Sequence, residues 1–193
     1  MPNNCISQMN WYALQVRTKF ATVAAMTLAS KGYDIFLPTY VQVNRLLRTP
    51  KGRERELPLF PGYLFCRFDV NERFMPILTT PGVMSILCAG NTPLSVPEQE
   101  ISAIQTMVRS GLQPKPWPDL PIGTRVLIEK GPLAGVEGVA LRVDNCYKLV
   151  VSVALLQRSI AVEISRDWAR PIEAEPIRRG SSSVPLMTRA AIA

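Results

Sequence analysis

Apolar positions in the first half of the chain recur with the periods of strands and of amphipathic helices. The segment 19–31, for example, carries Phe20, Val23, Ala24 and Leu28 at helical spacing before Gly32. The whole pattern predicts, in chain order, a strand at 11–16, a helix at 19–31, a strand at 33–43 that bends at Pro38, strands at 63–68 and 83–88, and a helix that begins at Pro97 and ends at Gly111.

A proline-rich segment separates this half from the rest. Four of the nine residues from Gln113 to Pro121 are prolines, which favours a stiff, extended linker with few hydrogen bonds. Beyond it, four alternating apolar runs are separated by turns with glycine or asparagine, which predicts a small β-barrel. The predicted organisation is a flexible N-terminus (1–10), a mixed α+β domain (11–111), a linker (112–122), a barrel (123–172) and a flexible tail (173–193).

The composition excludes several classes of chemistry. The chain has 193 residues, 47% of them apolar, and no histidine, which removes His-activated nucleophiles, His general bases and most zinc sites. Its four cysteines form no C-x-x-C pair, and no stretch approaches the ~20 uninterrupted apolar residues that span a membrane. An enzyme built on carboxylate, Lys or Tyr chemistry is the alternative that the composition leaves open. We expect instead a non-enzymatic, cytoplasmic protein that binds neither a metal nor a cofactor.

The charge balance favours acidic or polyanionic partners. Lys and Arg number 22 against 15 Asp and Glu, which gives a formal net charge of +7. Part of the surplus lies in 45–55, where two arms around a Pro-Lys-Gly tip predict a basic hairpin. Such charges either face water or attract phosphates and acidic surfaces; the residues concerned are Arg45, Arg48, Lys51, Arg53 and Arg55.

The predicted strand at 63–68 carries apolar side chains on both faces. Leu64, Cys66 and Phe68 share one face, which we interpret as core, and Tyr63 and Phe65 lie on the other. A sheet with one helix layer buries only one face. The aromatics of the second face therefore either lie beneath another helix or form an exposed apolar patch for a partner.

Several stretches resemble the NusG family of transcription elongation factors. The family's N-terminal (NGN) domain is matched, in order and spacing, by Trp11-Tyr12-Ala13-Leu14, Leu59-Phe60-Pro61-Gly62-Tyr63-Leu64-Phe65 and Thr80-Pro81-Gly82-Val83. A KOW motif in an SH3-like barrel is similar to Gly123-Thr124-Arg125-Val126-Leu127-Ile128 followed by Gly131-Pro132-Leu133-Ala134-Gly135 and Gly138-Val139. The motif Leu-Phe-Pro-Gly-Tyr-Leu-Phe and the C-terminal tail resemble specialised paralogues of the RfaH or UpxY kind more than housekeeping NusG.

This resemblance implies an α+β fold in which an antiparallel or mixed sheet flanked by helices precedes the barrel. Family members hold RNA polymerase across its clamp and opposite lobe, suppress pausing or termination, and recruit a second factor such as Rho or a ribosomal protein through the barrel. The positions that match polymerase-binding residues are Tyr12, Phe60, Pro61, Tyr63 and Phe65. Gln15 stands where the family often has an aromatic residue, which implies a smaller or more polar patch.

Other expectations also follow from the resemblance. The basic hairpin would approach upstream DNA and the polymerase lobe, and non-template DNA contacts would involve Arg17, Lys19, Thr80 and Gly82. The loop Leu155-Leu156-Gln157-Arg158 aligns with the recruiting surface, although its leucine pair could belong to the core. That loop lacks the family's Phe-Gly pair, which argues against Rho.

The β-branched alternation of 123–172 favours a barrel over the helical hairpin into which some RfaH-like barrels refold. We expect a monomer that does not bind membranes. The alternative function is that of a KOW-type RNA- or ribosome-binding protein.

Overall fold

The computed structural model describes residues 9–44, 53–71, 74–117, 123–143 and 146–172. The elements of the N-terminal part are β1 (Asn10–Val16), α1 (Ala21–Ser30), β2 (Asp34–Phe36), β3 (Thr39–Asn44), β4 (Arg53–Pro58), β5 (Tyr63–Phe68), α2 (Met75–Leu78), β6 (Val83–Ile86), β7 (Cys88–Ala89), β8 (Thr92–Pro93), β9 (Ser95–Val96) and α3 (Glu98–Arg109). Those of the C-terminal part are β10 (Lys115–Trp117), β11 (Thr124–Ile128), β12 (Glu137–Val143), β13 (Cys146–Val153), β14 (Arg158–Ile164) and β15 (Ala169–Pro171). Single 3-10 turns lie at Thr18–Phe20, Ala154–Leu156 and Arg166–Trp168.

The N-terminal sheet is antiparallel, with β1 at its centre. Its order is β2-β5-β1-β6, and β9 also pairs with β1. The strands predicted at 11–16 and 63–68 are confirmed as β1 and β5, which run side by side from Asn10 opposite Phe68 to Gln15 opposite Tyr63. The helices predicted at 19–31 and after Pro97 are confirmed as α1 and α3.

The strand predicted at 33–43 is divided at Pro38 into two strands of different sheets. β2 joins the N-terminal sheet through β5, whereas β3 pairs with β4 in a separate antiparallel hairpin. Of the hairpin that the charge pattern predicts at 45–55, only the second arm is described, and it is part of β4. Its first arm and tip, residues 45–52, lie outside the described residues.

Both faces of the N-terminal sheet are covered. One face packs against α1 in a cluster that includes Leu14, Leu64, Cys66 and Phe68, so the interpretation of Cys66 as a core residue is confirmed. The other face packs against α3, whose buried Ile101, Ile104 and Met107 recur every three residues. The second helix therefore covers Phe65, for which the alternative of an open patch fails, whereas Tyr63 on the same face is half-buried.

The C-terminal part is one antiparallel sheet of order β10-β14-β13-β12-β11-β15. Its four long strands, β11 to β14, contain the four predicted alternating runs, and the inward side chains Ile128, Leu149, Val153 and Ile160 are fully buried. β-Branched residues pack well on such a pleated, half-buried surface. The observed fold is α+β with a second antiparallel sheet, as expected.

The proline-rich segment differs from an unpaired linker. Lys115–Trp117 forms β10 and pairs with Ser159–Ala161 of β14 as an edge strand. Proline is tolerated at an edge because a ladder hydrogen bond is missing there without cost to a neighbour. The stretch 118–122, which completes the connection, lies outside the described residues.

The two parts are joined by one continuous apolar cluster. It contains Phe60, Phe65 and Ile104 of the N-terminal part together with Val126, Val151 and further side chains of the C-terminal sheet. α3 lies between them, packed against β1 on one side and β13 on the other. Within the described segments, no helix has both the length and the apolar character that crossing a bilayer requires.

The turn before β6 generates a stability prediction. Gly82 has φ +90°, and a Cβ placed on it would lie 2.6 Å from the Cβ of Phe20. Gly90 also has a positive φ, +60°, but a Cβ there meets nothing within 4 Å. We expect Gly90→Ala to lower the free energy of unfolding by about 1–2 kcal/mol through backbone strain alone. Gly82→Ala is expected to cost about 1–3 kcal/mol more, because Phe20 must shift.

Urea denaturation of the two variants measures this difference directly. Equal losses of stability in the two variants would show that Phe20 is not held against the turn.

Candidate functional site

The sequence Phe-Pro-Gly-Tyr (residues 60–63, here the aromatic turn) connects β4 to β5 in a fixed conformation. The Tyr63 amide donates to the Phe60 carbonyl at 3.0 Å, and Gly62 has φ +86°, the geometry of a type II turn with proline at its second position. The Gly62 carbonyl accepts from the Val16 amide at 2.9 Å, which ties the turn to the end of β1.

The aromatic rings at this turn are mostly buried. Phe60 is 1% exposed and Phe65 is 0% exposed, so the alternative of an exposed apolar patch fails for both. Their ring centroids lie 5.6 Å apart in an edge-to-face arrangement, and Phe36 stacks on Phe65 at 6.1 Å. These rings pack among α3 and the C-terminal sheet, in the cluster that joins the two parts.

The outer atoms of the aromatic turn remain accessible. Pro61 is exposed and Tyr63 is half-buried. Gln15 is exposed directly opposite Tyr63 on β1, where its Oε1 accepts from the Ser85 hydroxyl at 3.1 Å. A polar side chain therefore borders the apolar surface of Tyr63.

Tyr12 lies on the other face of the sheet from the aromatic turn. It is 6% exposed, sits opposite Cys66 and packs against Phe68 at 4.6 Å between ring centroids. Tyr12 and the aromatic turn are therefore not brought together, because successive side chains of a strand point to opposite faces. Tyr12 alternates with the apolar residues Leu14 and Val16, so the sequence pattern already indicated that it shares their core face.

The C-terminal part reaches the aromatic turn through residues 155–158, the predicted partner loop. Arg158 Nη1 donates to the Pro61 carbonyl at 2.9 Å, and its guanidinium carbon lies 5.2 Å from the centroid of the Tyr63 ring. Leu155 and Leu156 are half-buried and pack against the shared cluster. We call this packing of the loop on the turn the closed arrangement.

The remaining residue of that loop, Gln157, shapes it rather than contacting the turn. Its φ is +52°, and its Nε2 donates to the Ala154 carbonyl at 2.8 Å. Since Arg158 contacts the aromatic turn and Leu155 and Leu156 pack against the shared cluster, the loop is only partly available to another protein in the closed arrangement.

Glu100 is a residue of the interface that the sequence patterns did not single out as functional. It lies in the first turn of α3, and the Ala154 backbone hydrogen-bonds to its carboxylate across the two parts. Its Oε2 is buried and has no hydrogen-bond partner among the described residues. Desolvation by burial raises the pKa of this carboxyl above its ordinary value, and the hydrogen bond from Ala154 opposes that shift. In a sequence, a Glu in the first turn of a helix indicates only a favourable interaction with the helix dipole, so Glu100 did not stand out.

The structure brings together part of the predicted nucleic-acid site. The Arg17 amide donates to the Gly82 carbonyl at 2.9 Å, so exposed Arg17 and Lys19 lie beside the turn before β6. Thr80 does not belong to this surface. It is 2% exposed, and its hydroxyl donates to the Pro76 carbonyl while accepting from Lys31 Nζ at 2.8 Å.

The basic hairpin is only partly described. Arg55 on β4 is exposed, and Arg53 belongs to the same strand. Arg45, Arg48 and Lys51 lie outside the described residues, so their expected contacts stay predictions.

Comparison with known proteins gives the family of this chain. The family model "Transcription termination factor nusG" matches residues 9–105, which span the N-terminal sheet, the aromatic turn and most of α3. The chain belongs to the NusG family. Proteins of this family are transcription termination and antitermination factors rather than enzymes.

Individual NusG proteins are similar to this chain over most of its length. The transcription termination/antitermination protein NusG of Neisseria meningitidis is 26% identical over 165 residues, which are 80% of this chain and 93% of the relative. NusG of Pseudomonas aeruginosa is 30% identical over 135 residues, covering 68% and 75%. A solved structure of Thermotoga maritima NusG has the same fold, with a TM-score of 0.52, 19% identity, and coverage of 86% and 98%.

Burial of Glu100 gives a pH-dependent prediction. Because its folded-state pKa is raised, its contribution to stability is full below its ordinary value of 4.5 and is lost as the pH rises through the raised pKa. Glu100→Gln keeps an acceptor for the Ala154 backbone but carries no charge. We expect the urea midpoint of this NusG-family protein to increase at pH 7 on substitution, and the difference to vanish below pH 4.5.

Glu98→Gln is the matched control, since Glu98 lies two residues earlier in the same helix and its side chain is 59% exposed. A Glu100→Gln midpoint at pH 7 that is unchanged or lowered would mean that the carboxylate is stabilising at the interface.

Proposed function

We propose that this NusG-family protein binds RNA polymerase through its N-terminal part and suppresses pausing or termination during elongation. The observation that supports this best is the aromatic turn. It holds Pro61 and Tyr63 at the surface on a rigid base of buried Phe60 and Phe65. Aromatic anchors with a packed base and an accessible edge are the residues that dominate protein interfaces.

The polymerase clamp is the proposed partner of the aromatic turn, and the basic residues would serve the opposite lobe. Arg17, Lys19 and Arg55 are exposed cations of the N-terminal part. They would attract an acidic polymerase surface or the phosphates of upstream or non-template DNA without reading bases. Contact on both sides of the cleft would stabilise the closed clamp, because a ligand shifts an equilibrium toward the state that it binds more tightly.

Polymerase binding at the turn competes with the closed arrangement. Arg158 occupies the Pro61 carbonyl and the face of Tyr63, so the partner must displace it. The same opening would free Leu155 and Leu156 to recruit a second factor, for which a ribosomal protein or Rho is the proposed class. The solved Thermotoga maritima protein is described as showing a domain interaction in NusG, which is consistent with a closed form of this chain. We propose that the protein acts in the cytoplasm as a monomer.

A second candidate function, RNA binding by the C-terminal sheet, has its own observation. Lys148 Nζ lies 5.3 Å from the centroid of Trp117, and the Arg166 guanidinium lies 5.9 Å from that of Tyr147. Cations stacked on accessible aromatic faces are typical of surfaces that bind single-stranded nucleic acid.

Truncation of the anchor distinguishes these functions. We expect Tyr63→Ala to weaken binding to purified core RNA polymerase by roughly 30-fold, the equivalent of about 2 kcal/mol for an interface anchor. Tyr147→Ala on the C-terminal sheet is the matched control and should leave polymerase affinity unchanged. Fluorescence anisotropy of the labelled protein measures both affinities, and the same variants are titrated with single-stranded RNA. Weaker RNA binding by Tyr147→Ala with polymerase affinity untouched by either variant would favour the second candidate.

Release of the closed arrangement should strengthen polymerase binding. Arg158→Ala removes one hydrogen bond and one cation–π contact, together about 1–2 kcal/mol. We expect polymerase affinity to rise by roughly 5- to 30-fold, because the competing intramolecular contact is weaker. Arg170→Ala, which removes a comparable exposed arginine paired with Glu129, should have no effect. If affinity falls in Arg158→Ala, Arg158 itself contacts the polymerase and the competition does not exist.

A further inference from the structure

A groove lies between α3 and the C-terminal sheet. Its volume is about 740 Å³. One wall is the outer face of α3, with Ser102 and Thr106, and the other is formed by β12 and β13 with the loop before them. Val136, Val139 and Val151 give the groove an apolar floor. A groove of this size accommodates a short peptide segment rather than a whole folded partner.

The rim of the groove carries a surplus of negative charge. Glu98, Glu100 and Glu137 line it, against Arg125 as the cation among its lining residues. Glu137 pairs with Arg125 at 3.4 Å, and Glu98 reaches Arg67 at 3.7 Å. The Oε2 of Glu100 is buried without a described hydrogen-bond partner. An acidic site in a chain of net charge +7 is suited to a basic segment.

The chain itself enters this region where its described part ends. The Ile172 amide donates to the Arg125 carbonyl at 2.9 Å, and Arg125 lines the groove. Residues 173–193 follow from that point and lie outside the described residues. Their sequence contains Arg178-Arg179 and, further along, Val184, Leu186 and Met187, with no acidic residue after Glu175.

The distances allow this segment to reach the groove. Extended chain spans at most about 3.3–3.6 Å per residue, so the six residues from Ile172 to Arg178 cover up to roughly 20 Å. Because Ile172 is hydrogen-bonded to Arg125, which itself lines the groove, this length of chain starts at the edge of the groove. The arginine pair and the apolar residues also stand in the order in which a segment would meet the acidic rim and the apolar floor.

We propose that the C-terminal segment 177–187 of this same chain docks in the groove between α3 and the C-terminal sheet. Arg178 and Arg179 pair with the acidic rim formed by Glu98, Glu100 and Glu137, and Val184, Leu186 and Met187 pack on the apolar floor. Since the groove has one wall on each part of the molecule, the docked segment fastens the two parts together. The proposal does not depend on polymerase binding.

Nuclear magnetic resonance of the full chain and of a chain that ends at Ile172 tests the docking. The shortened chain keeps every described residue. We expect the amide resonances of Ser102, Glu137 and Val151 to differ between the two chains. A synthetic peptide of residues 173–193, added to the shortened chain, should return these resonances toward their full-chain positions.

Charge variants distinguish docking from a general effect of the tail. Arg178→Glu together with Arg179→Glu should give the groove resonances of the shortened chain, and the corresponding peptide should bind at least tenfold more weakly. Arg189→Glu, a basic residue outside the docking segment, is the matched control and should leave the groove resonances of the full chain in place.

Three results would overturn the proposal. The first is identical groove resonances in the full and shortened chains. The second is an equal effect of Arg189→Glu and of the double variant, because the attraction would then be unspecific. The third is a dependence of the full-chain pattern on protein concentration, which would assign the groove to the tail of a second copy.

Discussion

The packing of α3 on both of its sides is the interaction on which the rest of this structure depends. Toward β1, the helix contributes Ile101, Ile104 and Met107 to the cover of the N-terminal sheet. On its other side the helix packs against β13 of the C-terminal sheet, and there the Ala154 backbone donates a hydrogen bond to the Glu100 carboxylate. Burying apolar surface on two sides at once merges two small cores into one, and larger cores bury a greater share of their surface. The position of the C-terminal sheet, and therefore the cover on the aromatic turn, follows from this helix.

The interface combines apolar packing with two polar contacts of opposite consequence. The Arg158 guanidinium makes a hydrogen bond to the Pro61 carbonyl and a cation–π contact with the Tyr63 ring, and it remains exposed to solvent. Glu100 is desolvated and keeps one oxygen without a described hydrogen-bond partner. A buried group left unsatisfied costs free energy that good packing must offset. An interface built in this way is held less tightly than a uniform apolar core, which suits the opening that we propose for partner binding.

Local elements were accessible from the sequence because their signals are local. The alternation of Tyr63 to Phe68 and of the four C-terminal runs gave the strands, and the three-residue spacing of Ile101, Ile104 and Met107 gave α3. The break at Pro38 was visible as well, but its consequence was not. The residues flanking Pro38 do not indicate that β2 and β3 belong to different sheets, because the pairing of a strand depends on residues that are distant along the chain. The same holds for Lys115–Trp117, which forms an edge strand despite its proline.

The sequence by itself determined the family, the α+β class, the two main sheets and the aromatic turn, because each rests on motifs and periodicities that are local along the chain. Only the tertiary structure decided which side chains of that turn are accessible. Phe65 shares a face of β5 with Tyr63, and alternation treats the two alike, yet Phe65 is sealed and Tyr63 is half-buried. The difference comes from α3 and from Arg158, which lie about 40 and 100 residues away along the chain and whose placement depends on the packing of the whole molecule. Burial is a property of the surroundings of a side chain, and no local pattern contains those surroundings.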